Sequence, residues 1–326
     1  MKTHCFIGTD KNAGKTTAFN AVYAERVRRG QGPLLLTSIG INGETTDEFD
    51  GGVKPSIRVM DGTFFVTAGE HLSCHTGKYE TLATFVPPTF SKPLVLGLAK
   101  TGFHILLEGP NTGLELGRLK EALTHHLPGE TTLIVDGSID RQFLANPDLC
   151  DGFYFSVLFS KRAPQRKKAE AFLSALSFGV CCQDDRKLIL PQQTLETRTL
   201  VFDETGNLIH RGELMPFADK GLHKVLGSLG KRRALLYLDG ALTSSLAAHL
   251  SPLKRLRVVL HNMTLYQNVS AGQGKQFASM PEITVLHPVP VKGIFLREEA
   301  PFDRSLLPAH FPVHNLFREG THGIGI

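Results

Sequence analysis

Apolar and polar residues alternate along this chain in blocks, and each block carries the period of one kind of element. Residues 5–7 form a short apolar run ending at Gly8, and residues 15–29 repeat apolar positions at helical spacing. Residues 33–38 are a continuous apolar run, as in a strand buried on both faces. Residues 56–60 and 63–67 flank Asp61 and Gly62, a pairing that predicts a β-hairpin. Further strands are predicted at 79–86, 93–98, 104–108 and 132–136, with helices at 114–126 and 138–145. Residues 69–77 read as a short helix or a loop. A strand at 153–159 precedes a helix at 165–176. Residues 187–190 and an alternating hairpin over 198–211, turning at Gly206 and Asn207, suggest a small β-rich connector. From Pro216, helices at 217–229 and 240–250 alternate with strands at 234–239 and 256–260. Strands at 283–286, 293–296 and 313–317 close the chain, while 262–280 is left unassigned. The pattern predicts an α/β protein with a largely parallel sheet flanked by helices.

The stretch between the first strand and the first helix has its own chemistry. It runs Gly8, Thr9, Asp10, Lys11, Asn12, Ala13, Gly14, Lys15, Thr16, Thr17. A glycine-containing loop between a strand and a helix start is the context of a phosphate-binding loop. Its backbone N–H groups curl around a polyphosphate, and the helix dipole faces the same charge. Lys15 is then placed to reach the terminal phosphates and the Thr16 hydroxyl to hold Mg²⁺. Five residues separate Gly8 from Gly14, where the common phosphate-loop pattern has four.

Two later strands end in an acid. Residues 104–108 close on Glu108, followed by Gly109, Pro110 and Asn111; residues 132–136 close on Asp136 and Gly137. A carboxylate at a strand end beside a phosphate loop binds the metal or its waters and offsets concentrated negative charge. Asp136 has the alternative role of helix N-cap, for which Glu108 is poorly suited. The polar loop after the second strand adds Glu44 and Asp47, at the carboxyl end where nucleotide ligands gather in doubly wound sheets. The candidate catalytic residues are therefore Lys15, Asp136 and Asp47, and the candidate metal ligands Thr16, Glu108 and Asp47. ATP and Mg²⁺ are the expected cofactors.

Composition narrows the class without changing it. At 326 residues, 41% hydrophobic and 21% charged, the chain is long enough for two compact domains or one large α/β unit. The expected division is a P-loop nucleotide-binding domain over 1–160, a connector over 161–215 and a smaller α/β portion over 216–326. A formal charge of +5 suits anionic small molecules and is too weak to argue for nucleic acid. No apolar run approaches a membrane span, and the first residues read as a strand rather than a leader, so a cytoplasmic protein is expected. Five cysteines without Cys-x-x-Cys spacing argue against a disulfide framework or structural zinc. The basic residues Lys161, Arg162, Arg166, Lys167 and Lys168 read as a solvated helix start.

The loop opening Gly8-Thr9-Asp10 and closing Gly14-Lys15-Thr16 resembles that of the dethiobiotin-synthetase group of P-loop proteins. With the stretches 37–44, Lys54-Pro55, 108–111, 135–141, 240–243 and 311–314 in order, the chain looks most like the small P-loop subunit of lysine aminomutase reactivases (the KamB type). That resemblance implies a P-loop NTPase-like fold and an ATPase subunit working with a larger MutS-like reactivase subunit on an adenosylcobalamin-dependent aminomutase. Nucleotide turnover would open the mutase so that damaged cobalamin exchanges for intact cofactor. It leaves a homo-oligomer open. One departure matters: residues 39–43 lack the lysine found at the comparable loop of dethiobiotin synthetase. An ATP-dependent ligase or carboxylase of that type is thus the second reading. A nucleotide-binding switch without useful turnover is the third.

Overall fold

The computed structural model describes residues 1–42, 55–137, 144, 146–266, 281–308 and 310–318. Its strands are β1 (Lys2–Gly8), β2 (Leu34–Ile39), β3 (Ile41–Asn42), β4 (Ile57–Val59), β5 (Phe64–Ala68), β6 (Tyr79–Phe85), β7 (Leu94–Ala99), β8 (Phe103–Ile105), β9 (Leu107–Glu108), β10 (Thr132–Gly137) and β11 (Gly152–Phe159). They continue with β12 (Gly179–Val180), β13 (Thr199–Phe202), β14 (Leu208–Gly212), β15 (Ala234–Leu238), β16 (Leu256–Leu260), β17 (Glu282–Val285), β18 (Val291–Glu298) and β19 (Val313–His314). The α-helices are α1 (Lys15–Arg28), α2 (Gly113–Leu123), α3 (Ala163–Ala175), α4 (Gln183–Ile189), α5 (Lys220–Leu229) and α6 (Ser244–Leu250). Among the described residues, no helix is long and apolar enough to cross a membrane.

The chain is α/β and divides into two compact units. The first comprises 1–160, 290–301 and 310–326; the second comprises 161–289 and 302–309. This differs from the three portions expected from sequence. The β-rich connector does not stand apart, because β13 and β14 pair with β15 in the second unit's six-stranded sheet. The last strands, β18 and β19, belong to the first unit because they continue its sheet.

The first unit is organised around a nine-stranded sheet in the order β19-β18-β11-β1-β10-β2-β5-β7-β6. Pairing is parallel from β19 to β5, and β7 joins β5 and β6 antiparallel. Central parallel strands are covered on both faces, which is why β2 and β11 are buried at every position. Helix α1 packs its apolar stripe of Ala18, Phe19, Val22 and Tyr23 against this core. The Phe6 ring meets Phe19 edge-on at 5.5 Å and stacks on Tyr154 at 4.7 Å. Tyr23, wholly buried, takes the main-chain N–H of Met60 at 2.8 Å and shares a hydrogen bond with Thr63 at 2.7 Å.

The expected hairpin over 56–67 is not formed. The turn at Gly62 exists, with φ of +73°, but its two arms part. Strand β4 pairs antiparallel with β8, whereas β5 lies between β2 and β7 in the large sheet. Phe65 and Val66, on opposite faces of β5, are both fully buried; a hairpin arm covered on one side would leave one of them open. Residues 187–190 are likewise not a strand: they fall in α4 and the 3₁₀ turn after it. The helix puts Asp185 and Ile189, four apart, on one buried face, where Asp185 pairs with Arg257 at 2.9 Å. Of the last expected strand over 313–317, only Val313–His314 pairs. The expected helix over 138–145 lies outside the described residues apart from Leu144.

The second unit carries the sheet β12-β17-β16-β15-β13-β14. Strands β15, β16 and β17 run parallel, and the β13–β14 hairpin turns through Gly206 at φ +86°. Two of its helices start on side-chain caps, Asp219 before α5 and Thr243 before α6.

Candidate functional site

The site begins where β1 stops. The chain leaves β1 through α1 towards β2, and leaves β11 towards β18 on the opposite side of the sheet. Neighbouring strands whose continuations diverge open a crevice at their carboxyl ends, the usual ligand position in such sheets. Residues 8–17 fill that position. Thr9 anchors the loop to β11: its N–H donates to the Ser156 carbonyl at 3.0 Å, and its hydroxyl accepts the Leu158 N–H at 3.0 Å. Asn12 at φ +59° and Gly14 at φ +88° then turn the backbone through left-handed conformations. Such turns aim successive N–H groups into a concavity that suits an anion. Helix α1 starts at once from Gly14, with no side-chain cap and no acid in its first turn, so no residue of the helix itself offsets its positive end.

Lys15 runs back along the loop. Its stem lies against Gly8, where a β-carbon would stand 2.8 Å from Lys15 Cγ, and its ammonium donates to the Asp10 carbonyl at 3.0 Å. Residue 8 must therefore be glycine for the lysine to take this path. Thr16 donates its hydroxyl to Asp136 Oδ2 at 3.0 Å. Asp136 sits near the end of β10, in register with Phe6 of β1 and Ser38 of β2, and is fully buried. Its other oxygen, Oδ1, is buried without a hydrogen-bond partner. Burial pushes the Asp136 carboxyl up to about 6, while the charge of Lys15, the Thr16 hydroxyl and the Gly137 N–H pull the other way.

A buried carboxylate lacking one partner, bonded to a hydroxyl and next to an ammonium, is an oxygen donor set that suits a hard divalent cation. Thr16 and Asp136 therefore fit the expected Mg²⁺. Asp47, and with it Glu44, lies outside the described residues.

Glu108 stands on the same rim but in other company. The Ser38 hydroxyl donates to the Leu107 carbonyl at 2.7 Å, and Ser38 is the β2 partner of Asp136. Ser38 thus stands between Asp136 and the strand that ends in Glu108. The hydrogen bonds to the Glu108 carboxylate come from His71 Nε2 at 2.5 Å and from the Lys92 ammonium, whereas the Thr16 hydroxyl goes to Asp136. Burial raises the Glu108 carboxyl, and the bonds from Lys92 and His71 more than offset it, holding the group below its ordinary range. Glu70, His71 and Glu108 bring one ligand atom each within 4.8 Å of one another.

Lys92 and His71 were not legible as site residues. They lie 16 and 37 residues from Glu108, in stretches with no motif of their own. Arg297 was missed too, although a charge at the end of the apolar run 293–296 was the available signal. Its guanidinium donates to the Asn12 carbonyl at 2.8 Å.

Gly109 holds this rim together. A β-carbon there would stand 2.1 Å from the Ser38 carbonyl oxygen and 2.5 Å from Thr37 Oγ1. The carbonyl is backbone and cannot swing away, so Gly109→Ala must push β9 off β2. The expected loss is about 1–3 kcal/mol of stability, the usual cost of overpacking, read as a lower thermal midpoint. An unchanged midpoint would show that β9 is not held against β2 in this way.

Compared with protein-family models, curated proteins and solved structures, the chain matches none. What the geometry defines is an α/β protein with a glycine-containing strand-to-helix turn at a topological switch point.

Proposed function

We propose that this chain binds a nucleoside triphosphate with Mg²⁺ on residues 8–17 and hydrolyses it. The observation that carries the reading is the Thr16–Asp136 hydrogen bond, which ties the helix start to a buried strand-end acid beside Lys15. Catalysis of this kind is mainly positioning and electrostatics. The backbone N–H groups of the loop cradle the β- and γ-phosphates, and Lys15 moves from the Asp10 carbonyl to the charge that develops on them. Thr16 and Asp136 would hold Mg²⁺, whose bound charge neutralises the polyphosphate. The Asp136 charge, unfavourable where it is buried, would then be compensated. Service as the ATPase subunit of a reactivase for an adenosylcobalamin-dependent lysine- or ornithine-type aminomutase, with a MutS-like partner, rests on the sequence resemblance alone.

Lys92 favours a second reading. A ligase or carboxylase of the dethiobiotin-synthetase type needs a cation on this rim to hold an anionic intermediate, and residues 39–43 offer none. Lys92, held on Glu108, is such a cation. Phosphate release from Mg-ATP by the purified chain separates the readings. Release without an added acceptor supports the hydrolase, and release that waits for a diamine and bicarbonate moves the assignment to the ligase. Binding without release leaves a nucleotide switch. No binding of Mg-ATP at millimolar concentration removes all three.

A further inference from the structure

The phosphate loop has a second flank, away from Asp136. On that side of β1 the sheet continues through β11 to β18, whose carboxyl end carries Arg297 and Glu298. Arg297 is fixed at three points. Its Nη1 donates to the Asn12 carbonyl at 2.8 Å, and its Nη2 lies 3.5 Å from Glu299. Its guanidinium also covers the Phe317 ring at 5.3 Å from the centroid. Phe317 is brought there by a turn tied to the same strand. Its N–H donates to Asn315 Oδ1 at 3.2 Å, Asn315 donates to Glu298 at 3.2 Å, and Arg318 pairs with Glu298 at 3.0 Å. The tip of the ring ends 2.9 Å from the point where a β-carbon on Gly14 would stand, yet Phe317 remains 51% exposed. A planar cation bonded to Asn12 and a half-open aromatic ring against Gly14 thus flank the turn that starts α1.

A nucleoside triphosphate seated on the loop has its charged end drawn to Lys15, Thr16 and Asp136. Its base must then leave the loop on another side, and it needs a flat surface, since bases stack on aromatic rings and guanidinium planes. Resting on the phosphate-loop reading above, we infer that Arg297 and Phe317 are the platform on which the nucleobase of the bound triphosphate stacks. Every base presents a π-face, so the Phe317 ring takes ATP and GTP alike and gives nothing to inorganic tripolyphosphate.

Calorimetric titration of the full chain with Mg-ATP, Mg-GTP and Mg-tripolyphosphate tests this, on the wild type, Phe317→Ala and Phe317→Tyr. Because the ring is exposed, the alanine variant is expected to fold, and its thermal midpoint checks that it does. Phe317→Ala should weaken both nucleotides about tenfold, within the range of one lost base stack, and leave tripolyphosphate unchanged. Phe317→Tyr should restore nucleotide affinity. Unchanged nucleotide affinity in Phe317→Ala overturns the platform. An equal loss for nucleotides and tripolyphosphate overturns it as well, since the ring would then be propping Gly14 and the loop. If the wild type binds neither ATP nor tripolyphosphate, the phosphate-loop reading itself fails, which is a separate result.

Discussion

Lys15→Ala will remove the stabilisation that Mg-ATP confers while leaving the nucleotide-free protein nearly as stable as before. In the free protein the ammonium makes a half-buried bond to the Asp10 carbonyl, and losing one such bond costs about 1 kcal/mol. Alanine at the first helical position recovers part of that through its helix propensity. With nucleotide bound, the same ammonium faces phosphate oxygens, and charge-assisted bonds contribute about 1.5–3 kcal/mol each. Affinity should fall by about 10- to 150-fold. A wild type at a ligand concentration 100 times Kd gains about 2.7 kcal/mol, and a 100-fold weaker variant about 0.4 kcal/mol at the same concentration. In a thermal scan that is a rise of about 5 °C reduced to about 1 °C. Full nucleotide stabilisation of the variant would show that Lys15 takes no part in binding.

Asp136→Asn should do the opposite in the two states: stabilise the free protein above neutral pH and abolish its response to Mg-ATP. The folded carboxyl titrates at about 6, against an ordinary value of 3.8. The folded state therefore holds its proton more tightly than the unfolded chain. Its contribution is most favourable below pH 3.8, falls as pH rises through about 6, and is flat beyond. A shift of about two units corresponds to about 3 kcal/mol of destabilisation at pH 8. Asparagine has the same shape, keeps an oxygen for the Thr16 hydroxyl and carries no charge. Its amide hydrogens need partners in the same buried place, so the net gain at pH 8 should be about 1–2 kcal/mol, disappearing by pH 4. Denaturant unfolding at pH 4, 6 and 8 measures this. A variant that is less stable at pH 8 and still binds Mg-ATP would make Asp136 a structural residue.

Residues 8–17 could be read because their backbone path is largely local. A strand, two residues in left-handed backbone and a helix start are set by neighbours in sequence, so Gly8, Gly14, Lys15 and Thr16 announced themselves. Asp136 was legible for a related reason: a carboxylate directly after the apolar run 132–135 is at odds with burial unless it has a partner. The hairpin over 56–67 misled because Asp61-Gly62 specifies only the turn. Which sheet each arm then joins depends on the apolar surface available elsewhere, and β2 offered β5 a fully buried place. Residues 187–190 misled because four residues are too few to separate the two periods. The helix puts buried Asp185 where it meets Arg257, 72 positions away in the chain.

By itself the sequence determined that the protein is α/β, where most of its strands lie, and that residues 8–17 turn from a strand into a helix. Hydrophobic period and backbone permissiveness act over a few residues, and both are written in order along the chain. Only the tertiary structure decided what surrounds that loop. Thr16 meets Asp136 across 120 positions and Arg297 meets Asn12 across 285, while Glu108 is claimed by Lys92 and His71. Such contacts depend on the order in which parallel strands assemble. A parallel sheet joins strands that are neighbours in space and distant in sequence, and no local pattern records that order.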